Sequence, residues 1–233
     1  KYSIKNADLI RSISDFTEKQ ALNFGYQGLF VRFPAWINID NYLNADTKRL
    51  STDTFKIIFV GSVTERKNPK IIIESLETID EDISLEIIGQ TPNLKYLKEL
   101  NKLIASSKHA KSITMTPFIK AEELILKYSS ANLFILPSKS EGLGRVIIEA
   151  QSTACPVLVS SNTGMTDLII ENETGYIFEN NNKNDLTKKI QYIIDNYESA
   201  LQIGLNSKDF VKENQSVTNF EFGYKKLIDL VST

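Results

Sequence analysis

"FKIIFVGSVTERKNPKIIIESLETI", residues 55–79, carries the pattern that decides the fold of this chain. Its first seven residues form a short apolar run that ends in glycine, which predicts a buried strand. After a polar loop, the apolar residues of 68–79 recur at helical spacing, and Pro69 suits the first turn of a helix. The segment therefore predicts a strand, a loop and a helix in succession, which is the start of a βαβ unit.

The same alternation continues along the chain. Further strands are predicted at 83–89, 112–118, 132–138, 156–161 and 174–178, and helices at 93–107, 121–131, 144–154 and within 183–230. Strands that alternate with helices of this length form a parallel sheet with helices on both faces. We therefore expect an α/β fold, a Rossmann-like three-layer α/β/α domain with a parallel sheet of about six strands.

Residues 1–54 have a different pattern. Two strands, at 7–14 and 28–33, are predicted around a helix at 15–25, and the polar stretch 34–53 is interpreted as a linker. This divides the chain into residues 1–54 and a domain over 55–233. Because the chain begins "KYSIKNADLI" without an initiator methionine, we expect it to be a piece of a longer protein.

The composition excludes several classes of protein. The chain of 233 residues is 42% hydrophobic, and its 27 basic and 29 acidic residues give a net charge of -2 without a long run of one sign, which argues against a nucleic-acid binder. No apolar stretch approaches the ~18 residues of a membrane-spanning helix. Cys155 is the only cysteine and His109 the only histidine, so the sequence predicts no disulfide within the chain and no cysteine or multi-histidine metal site. Cys155 is predicted to be a small buried side chain.

The first candidate site is the loop 61–69, "GSVTERKNP". Gly61 ends a strand, and Arg66 and Lys67 come just before a helix. Free amides at a helix start together with two cations suit a phosphate group, although a solvated loop with two surface cations has the same pattern. The spacing of a Walker loop is absent.

The second candidate site is "PSKSEGLGRVIIE", residues 137–149. Gly142 and Gly144 allow backbone to approach a ligand at a helix start. Glu149 lies in an apolar helical run and is predicted to be buried, where its partner is either a core arginine, backbone amides or a ligand hydroxyl. If 141–149 were all helical, Glu141 and Glu149 would lie ~12 Å apart, wider than the ~5–9.5 Å of glycosidase carboxylates and better suited to the two ends of a nucleotide-diphosphate sugar.

A third point is "SSNTGMTDLI", residues 160–169, where Thr163 and Gly164 precede a short predicted helix that carries Asp167. Turn and N-cap roles suffice to explain these residues.

Taken in order, residues 55–200 resemble the C-terminal, nucleotide-sugar-binding domain of retaining glycosyltransferases of the GT-B fold, those called group 1 or family 4. The resemblance rests on "FVGSVTERKNP", on the block 132–178 with its E-x7-E pair, and on "MTPFIKAEELILKYSSA", where the nucleotide base rests in the family. More loosely, residues 8–42 resemble the end of the family's N-terminal domain, and 217–231 resemble its last, returning helix.

The resemblance implies a role for each matching position. Glu141 would be the catalytic residue, contacting the donor sugar and supporting the transferring centre. Glu149 would hold ribose hydroxyls and Lys67 would meet the diphosphate. The other implied donor-binding residues are Gly61, Ser62, Arg66, Ile119, Gly142, Leu143 and Gly144.

Four positions depart from the family pattern. Ser62 stands where an arginine is usual, which leaves Arg66 as its substitute. Thr163 replaces a glycine, Asp167 replaces a glutamate, and Arg145 stands where an apolar residue is common.

The resemblance implies transfer of a sugar, with retention, from a nucleotide-diphosphate sugar to a glycan or lipid-linked acceptor, in polysaccharide or glycoconjugate synthesis. It implies no metal and no other cofactor, no nucleic-acid partner, and a cytoplasmic protein that associates peripherally with the inner face of the membrane. The acceptor would be held by an N-terminal domain outside this chain, so we expect the chain to bind donor without transferring sugar. A nucleotide-sugar epimerase of the same fold and a non-catalytic nucleotide-binding module are the alternatives.

Overall fold

The chain is described by a computed structural model over residues 2–33, 35–47, 49, 54–163 and 168–232. In chain order its elements are α1 Tyr2–Lys5, β1 Leu9–Ser12, α2 Asp15–Asn23, β2 Leu29–Arg32, α3 Asp40–Leu43, β3 Phe55–Val60, α4 Lys70–Leu76, β4 Ile83–Ile88, α5 Leu94–Ser106, β5 Ile113–Thr116, α6 Ala121–Ser130, β6 Leu133–Leu136, α7 Arg145–Ser152, β7 Val157–Ser160, β8 Tyr176–Phe178, α8 Lys183–Asp195, α9 Tyr197–Asn214 and α10 Val217–Val231.

Strands β3 to β8 form one parallel sheet in the order β5-β4-β3-β6-β7-β8. The chain starts at β3, builds outward through β4 and β5, and then returns to the other side of β3 with β6. This is the strand order of a doubly wound fold, whose direction reverses between β3 and β6. The predicted Rossmann-like sheet of about six parallel strands is confirmed.

Helices flank this sheet in two groups. Helix α4 contacts α5 and α8, whereas α7 contacts α3, α6 and α9. Every residue of β6 and of β7 is buried, as a sheet covered on both faces requires. Each strand predicted between 55 and 178 is present, one to three residues shorter than its apolar run, and the region 183–230 contains α8, α9 and α10.

A small second sheet precedes the main one. Strands β1 and β2 pair in parallel, and α2 connects them, as predicted. Ser14 caps the N-terminus of α2 and forms a capping box with Thr17. The last helix, α10, packs against this sheet, where the rings of Phe33 and Phe220 have their centroids 5.7 Å apart.

The stretch 34–53, interpreted as a linker, contributes more packing than its polar composition indicates. Part of it lies outside the described residues, but α3 is present and the side chains of Ile37, Ile39 and Tyr42 belong to the core of the main domain. The Tyr42 ring has its centroid 6.3 Å from that of Tyr128 in α6. These contacts cross the predicted boundary at residue 54.

Arg49 ties the same stretch to the ends of two helices. Its guanidinium donates hydrogen bonds to the carbonyl oxygens of Ala131 at 2.9 Å, Tyr128 at 3.2 Å and Thr153 at 2.7 Å. Cations at helix C-termini satisfy carbonyls that have no partner within the helix.

No helix in the described part of the chain is both long and apolar enough to cross a membrane.

If residues 37–43 belong to the main core, Tyr42→Ala should lower the free energy of unfolding by ~3–5 kcal/mol, the usual cost of removing a buried aromatic ring. Tyr192→Ala, at a tyrosine that is 50% exposed, is the matched control and should cost far less. Urea unfolding followed by circular dichroism measures both. Equal losses for the two variants would show that Tyr42 does not pack in the core.

Candidate functional site

The candidate site lies at the carboxyl ends of β3 and β6. These two strands are neighbours in the centre of the sheet, and the strand order reverses between them. Ligands of open α/β sheets bind in the crevice that such a reversal leaves. The two loops singled out in the sequence, 61–69 and 137–144, therefore meet where the fold provides a cleft.

The loop after β3 begins with a close approach of backbone. Gly61 has φ 148° and Gly89 has φ 149°, and a Cβ on Gly89 would lie 1.9 Å from the carbonyl oxygen of Gly61. Only glycine at 89 allows the ends of β3 and β4 to come so close. Ser62 follows on the surface, and the backbone amide of Lys67 donates to Thr64 Oγ1 at 3.3 Å. This turn directs the Lys67 side chain back toward Gly61.

A charged group joins the two loops. Lys67 Nζ forms an ion pair with Glu141 Oε2, and both side chains are largely buried, at 11% and 10% exposure. Arg66 Nη1 lies 3.4 Å from the same carboxylate oxygen and donates to the carbonyl of Ser140 at 2.7 Å. The Arg66 side chain is 53% exposed, so it forms the rim of the group. Three of the predicted site residues, from two separate loops, thus come together.

Backbone contacts hold the loop that carries Glu141. The amide of Lys139 donates to the carbonyl of Arg66 at 2.8 Å, and the amide of Glu141 donates to the carbonyl of Asn162 at 3.3 Å. Glu141 also forms an isolated parallel β-bridge with Thr163. Part of the third candidate stretch, 160–169, therefore lies beside the loop that carries Glu141. Gly164 and Asp167 lie outside the described residues.

Two asparagines that sequence reasoning missed support this loop. Asn180 Nδ2 donates to the carbonyl of Lys139 at 3.3 Å, and Asn162 Nδ2 reaches the same oxygen at 3.5 Å. Asn180 comes just after β8. The rule that sites follow strand ends, applied to β8 as it was to β3 and β6, would have found it.

Helix α7 starts directly after the glycines. It begins at Arg145, with Gly144 at its N-cap and no side-chain cap, so the helical geometry assumed for 141–144 does not apply. A Cβ on Gly142 would meet no atom within 4 Å, whereas one on Gly144 would lie 2.6 Å from Ile147 Cδ1. The backbone at Gly142 therefore faces open space, while Gly144 is needed for packing. Leu143 between them is partly buried against the core.

Glu149 lies one turn into α7 and is 5% exposed. Its Oε1 accepts from Arg145 Nε at 2.9 Å, and its Oε2 lies 3.4 Å from the hydroxyl of Tyr128. Burial raises the pKa of Glu149, and the Arg145 charge only partly offsets this. Burial, with the nearby Glu149 charge, also raises the pKa of Tyr42 to about 12. Arg145, one of the four departures from the family pattern, thus partners the buried carboxylate.

The remaining candidates lie elsewhere. Ile119 is in the loop after β5, two strands from β3, and is partly buried against the core. Cys155 is fully buried and its pKa is raised by burial, in agreement with its predicted structural role. His109 lies in a turn, with Nε2 3.1 Å from the carbonyl oxygen of Leu76.

Chemically, the site offers two cations and one carboxylate at a cleft, an open stretch of glycine backbone, and a second, buried carboxylate. Cations beside free amides suit an anionic group, and carboxylates suit hydroxyl donors. The arrangement can therefore bind one ligand that carries both phosphate and hydroxyl groups.

Comparison with known proteins identifies the family of this chain. The family model described as "Glycosyl transferases group 1" matches residues 43–210. An uncharacterized glycosyltransferase of Methanocaldococcus jannaschii is 27% identical over 91% of this chain and 57% of its own length. The capsular polysaccharide biosynthesis glycosyltransferase CapM of Staphylococcus aureus is 25% identical over 92% of this chain and 56% of its own.

Among solved structures, the Anabaena protein Alr3699/HepE in complex with UDP-glucose is similar with a TM-score of 0.84. The match covers 97% of this chain and 65% of that one, at 18% identity, so it shows the fold alone. The chain spans somewhat more than half the length of the two curated relatives.

The raised pKa of Glu149 makes a prediction about stability and pH. Because the folded-state pKa lies above its ordinary 4.5, ionised Glu149 destabilises the fold, a cost that is absent below pH 4.5 and complete above the raised value. The free energy of unfolding of the wild type, relative to Glu149→Gln, should therefore fall as pH rises above 4.5. Urea titrations over this pH range measure the difference.

Glu18→Gln is the control with the opposite sign. A hydrogen bond from Arg32 lowers the pKa of Glu18 below 4.5, so the wild type should gain stability over this variant as pH rises toward 4.5. If the free energy of unfolding of the wild type, relative to Glu149→Gln, instead rose with pH, as it should relative to Glu18→Gln, the burial of an ionised Glu149 would be contradicted.

Proposed function

Because this chain belongs to the group 1 glycosyl transferases, we propose that it is the donor-binding part of an enzyme that transfers a sugar, with retention, from a nucleotide-diphosphate sugar to an acceptor. The epimerase and the non-catalytic module are not favoured by the family match. The chain covers little more than half of its relatives, and the acceptor is assigned to a part of the protein beyond these residues.

The observation that carries the proposal is the group formed by Lys67, Arg66 and Glu141 at the carboxyl ends of β3 and β6. Two cations against one carboxylate leave a net positive charge, which suits a diphosphate. The exposed backbone at Gly142 and the uncapped start of α7 add amide donors on the same side. Arg66 supplies the cation that the family places at the position of Ser62.

The two carboxylates take the two ends of the donor. Glu141 accepts hydrogen bonds from hydroxyls of the transferred sugar and, by holding that sugar, supports the transferring centre. Glu149 accepts from the ribose hydroxyls through the lone pairs that Arg145 and Tyr128 leave open. The base rests near Ile119.

During transfer, the bond between the anomeric carbon and the diphosphate oxygen breaks, and the acceptor oxygen bonds to the same carbon. The proton of the acceptor hydroxyl passes to the departing diphosphate oxygen, and Lys67 and Arg66 stabilise the negative charge that builds up on the diphosphate. The protein accelerates the reaction by this electrostatic stabilisation and by holding the acceptor oxygen close to the anomeric carbon, on the face from which the diphosphate departs, as retention requires.

By analogy with the capsular enzyme and with the neighbour that binds UDP-glucose, we place the reaction in polysaccharide or glycoconjugate synthesis in the cytoplasm, at the membrane face, and take UDP as the first nucleotide to test. We also propose that the donor is a nucleotide-diphosphate sugar, that the acceptor is a glycan or a lipid-linked molecule, and that the reaction requires no metal.

The ion pair makes the test specific. Lys67→Met should weaken the binding of UDP by ~10- to 150-fold, since a hydrogen bond to a charged group is worth ~1.5–3 kcal/mol. The affinity for uridine, which has no phosphate, should not change. Glu141→Gln removes the carboxylate that competes for Lys67, so UDP should bind at least as tightly while the further gain from an attached sugar is lost. Calorimetry measures the affinity of the wild type and of each variant for uridine, UDP and UDP-sugars.

Lys70→Met is the matched control, because Lys70 is also paired, to Glu99 at 2.6 Å, but lies in α4 beyond the loop. It should leave UDP affinity unchanged. Equal losses of uridine and UDP in Lys67→Met would contradict a phosphate contact, and failure of the wild type to bind UDP, GDP or ADP would contradict the donor site.

A further inference from the structure

Three successive asparagines, residues 180–182, form a turn between β8 and α8 that we call the asparagine turn. Asn182 is the N-cap of α8, and its side chain accepts from the backbone amide of Asp185 at 3.1 Å. Asn181 has φ 59°, in the left-handed region that asparagine adopts more readily than most residues. The turn is thus fixed to a helix by its third residue, and the side chains of the first two reach other loops.

Asn181 reaches the loop after β3. Its Oδ1 accepts a hydrogen bond at 3.4 Å from Nδ2 of Asn68, a residue that is 7% exposed. Asn68 directly follows Lys67 and also has a left-handed backbone, with φ 53°. Its amide donates to the carbonyl of Thr64 at 2.9 Å and so closes the turn that carries Lys67. A shift of Asn68 would therefore move Lys67 as well.

Asn180 reaches the loop after β6. Its Nδ2 donates to the carbonyl of Lys139 at 3.3 Å, and its backbone amide donates to Ser161 Oγ at 3.1 Å. The amide of Lys139 in turn donates to the carbonyl of Arg66 at 2.8 Å. The backbone of Lys139 is thus held on both sides, two residues before Glu141.

These contacts form a closed ring that joins three loops. The ring runs from the asparagine turn to Asn68, along the backbone to Arg66, across to Lys139 and back to the turn. Lys67 lies within the ring, and Glu141 follows it on the second loop. Side chains that bind a ligand keep a productive geometry when hydrogen bonds from residues behind them hold their backbone in place.

We infer that Asn180 and Asn181 are positioning residues, which set the spacing of Lys67 and Glu141 and hold Lys67 in place for a diphosphate. Neither asparagine touches the ligand, since each acts through a neighbour of a charged residue. A largely buried ion pair stabilises a protein only when its geometry is good, so loosening the ring should weaken the pair as well as the ligand. The inference rests on the proposed function in taking the ligand as a nucleoside diphosphate.

Glycine variants separate the amide groups from the turns. Asn181→Gly and Asn68→Gly each remove one half of the hydrogen bond, while glycine keeps the left-handed backbone. Each variant should weaken the binding of UDP by ~2- to 10-fold, the range for loss of one hydrogen bond between uncharged groups. The affinity for uridine should not change, because Lys67 contacts phosphate. Calorimetry with UDP and uridine measures both affinities.

The loss has to run through Lys67. In a Lys67→Met background, Asn181→Gly should therefore cause no further loss of UDP affinity. Combining Asn68→Gly with Asn181→Gly should cost no more than either change alone, because groups that share one interaction are not additive. Losses that add in these combinations, or a loss for uridine as large as that for UDP, would overturn the inference.

Asn172→Gly is the matched control. Asn172 is likewise exposed and left-handed, with φ 64°, but it lies in the turn before β8, at the end of the strand opposite the site. Its variant should bind UDP as the wild type does. A loss equal to that of Asn181→Gly would assign the effect to the change of turn residue and overturn the role of the amide.

A measurement without ligand separates this inference from the proposed function. Urea unfolding of Lys67→Met, Glu141→Gln and the variant with both changes gives the coupling between the two charges. The same cycle in Asn180→Ala and in Asn181→Gly should give a coupling reduced by about half or more, because the pair then has poorer geometry.

Unchanged coupling would overturn the inference, whether or not UDP binds. Reduced coupling in a chain that fails to bind UDP, GDP or ADP would reject the proposed function and support the positioning of the ion pair by the asparagine turn.

Discussion

The ion pair between Lys67 and Glu141 is the constraint on which the site depends. It joins loops that are 74 residues apart in sequence and that follow the two central strands of the sheet. Both side chains are removed from most of the solvent, so each charge depends on an ionic partner, Lys67 on Glu141 and Glu141 on Lys67 and Arg66. Without a ligand the pair holds the loops together, and an entering diphosphate has to share or replace Glu141 as the partner of Lys67. Glu141 is then released toward whatever the diphosphate carries.

The second carboxylate stands in the opposite environment. Glu149 lies on a helix, near the hydroxyl groups of Tyr42 and Tyr128, and its charge is offset mainly by a single, largely exposed arginine, Arg145. Burial works against its charge, whereas Glu141 is paired with two cations. One carboxylate can therefore change partners readily, while the other is held in place. A ligand with a fixed end and a reacting end fits such a division.

Local pattern predicted most of the fold and part of the geometry of the candidate site. The apolar runs and their spacing located each strand of the main sheet, and the strand-end rule placed Lys67 and Glu141 at one edge. Their pairing could not be predicted, because it depends on how two loops meet after the sheet has formed. Tyr42 was missed for the same reason, since its burial comes from helices far along the chain. Arg145 was noted in the sequence only as a departure from the family pattern, and its ion pair with Glu149 explains why an arginine fits there.

The strand order also governs how the chain assembles as it is made. Ile57 of β3 pairs with Leu133 of β6, and the neighbouring bond from Lys56 to Asn132 spans 76 residues. At ~5–20 residues per second, the ribosome delivers β6 roughly 4–15 s after β3. Throughout that interval one side of β3, with its run of Ile57 to Val60, is a bare strand edge that invites pairing with other nascent chains. The cleft is thus completed only after β6 has been made, and protection of that edge until then would prevent such pairing.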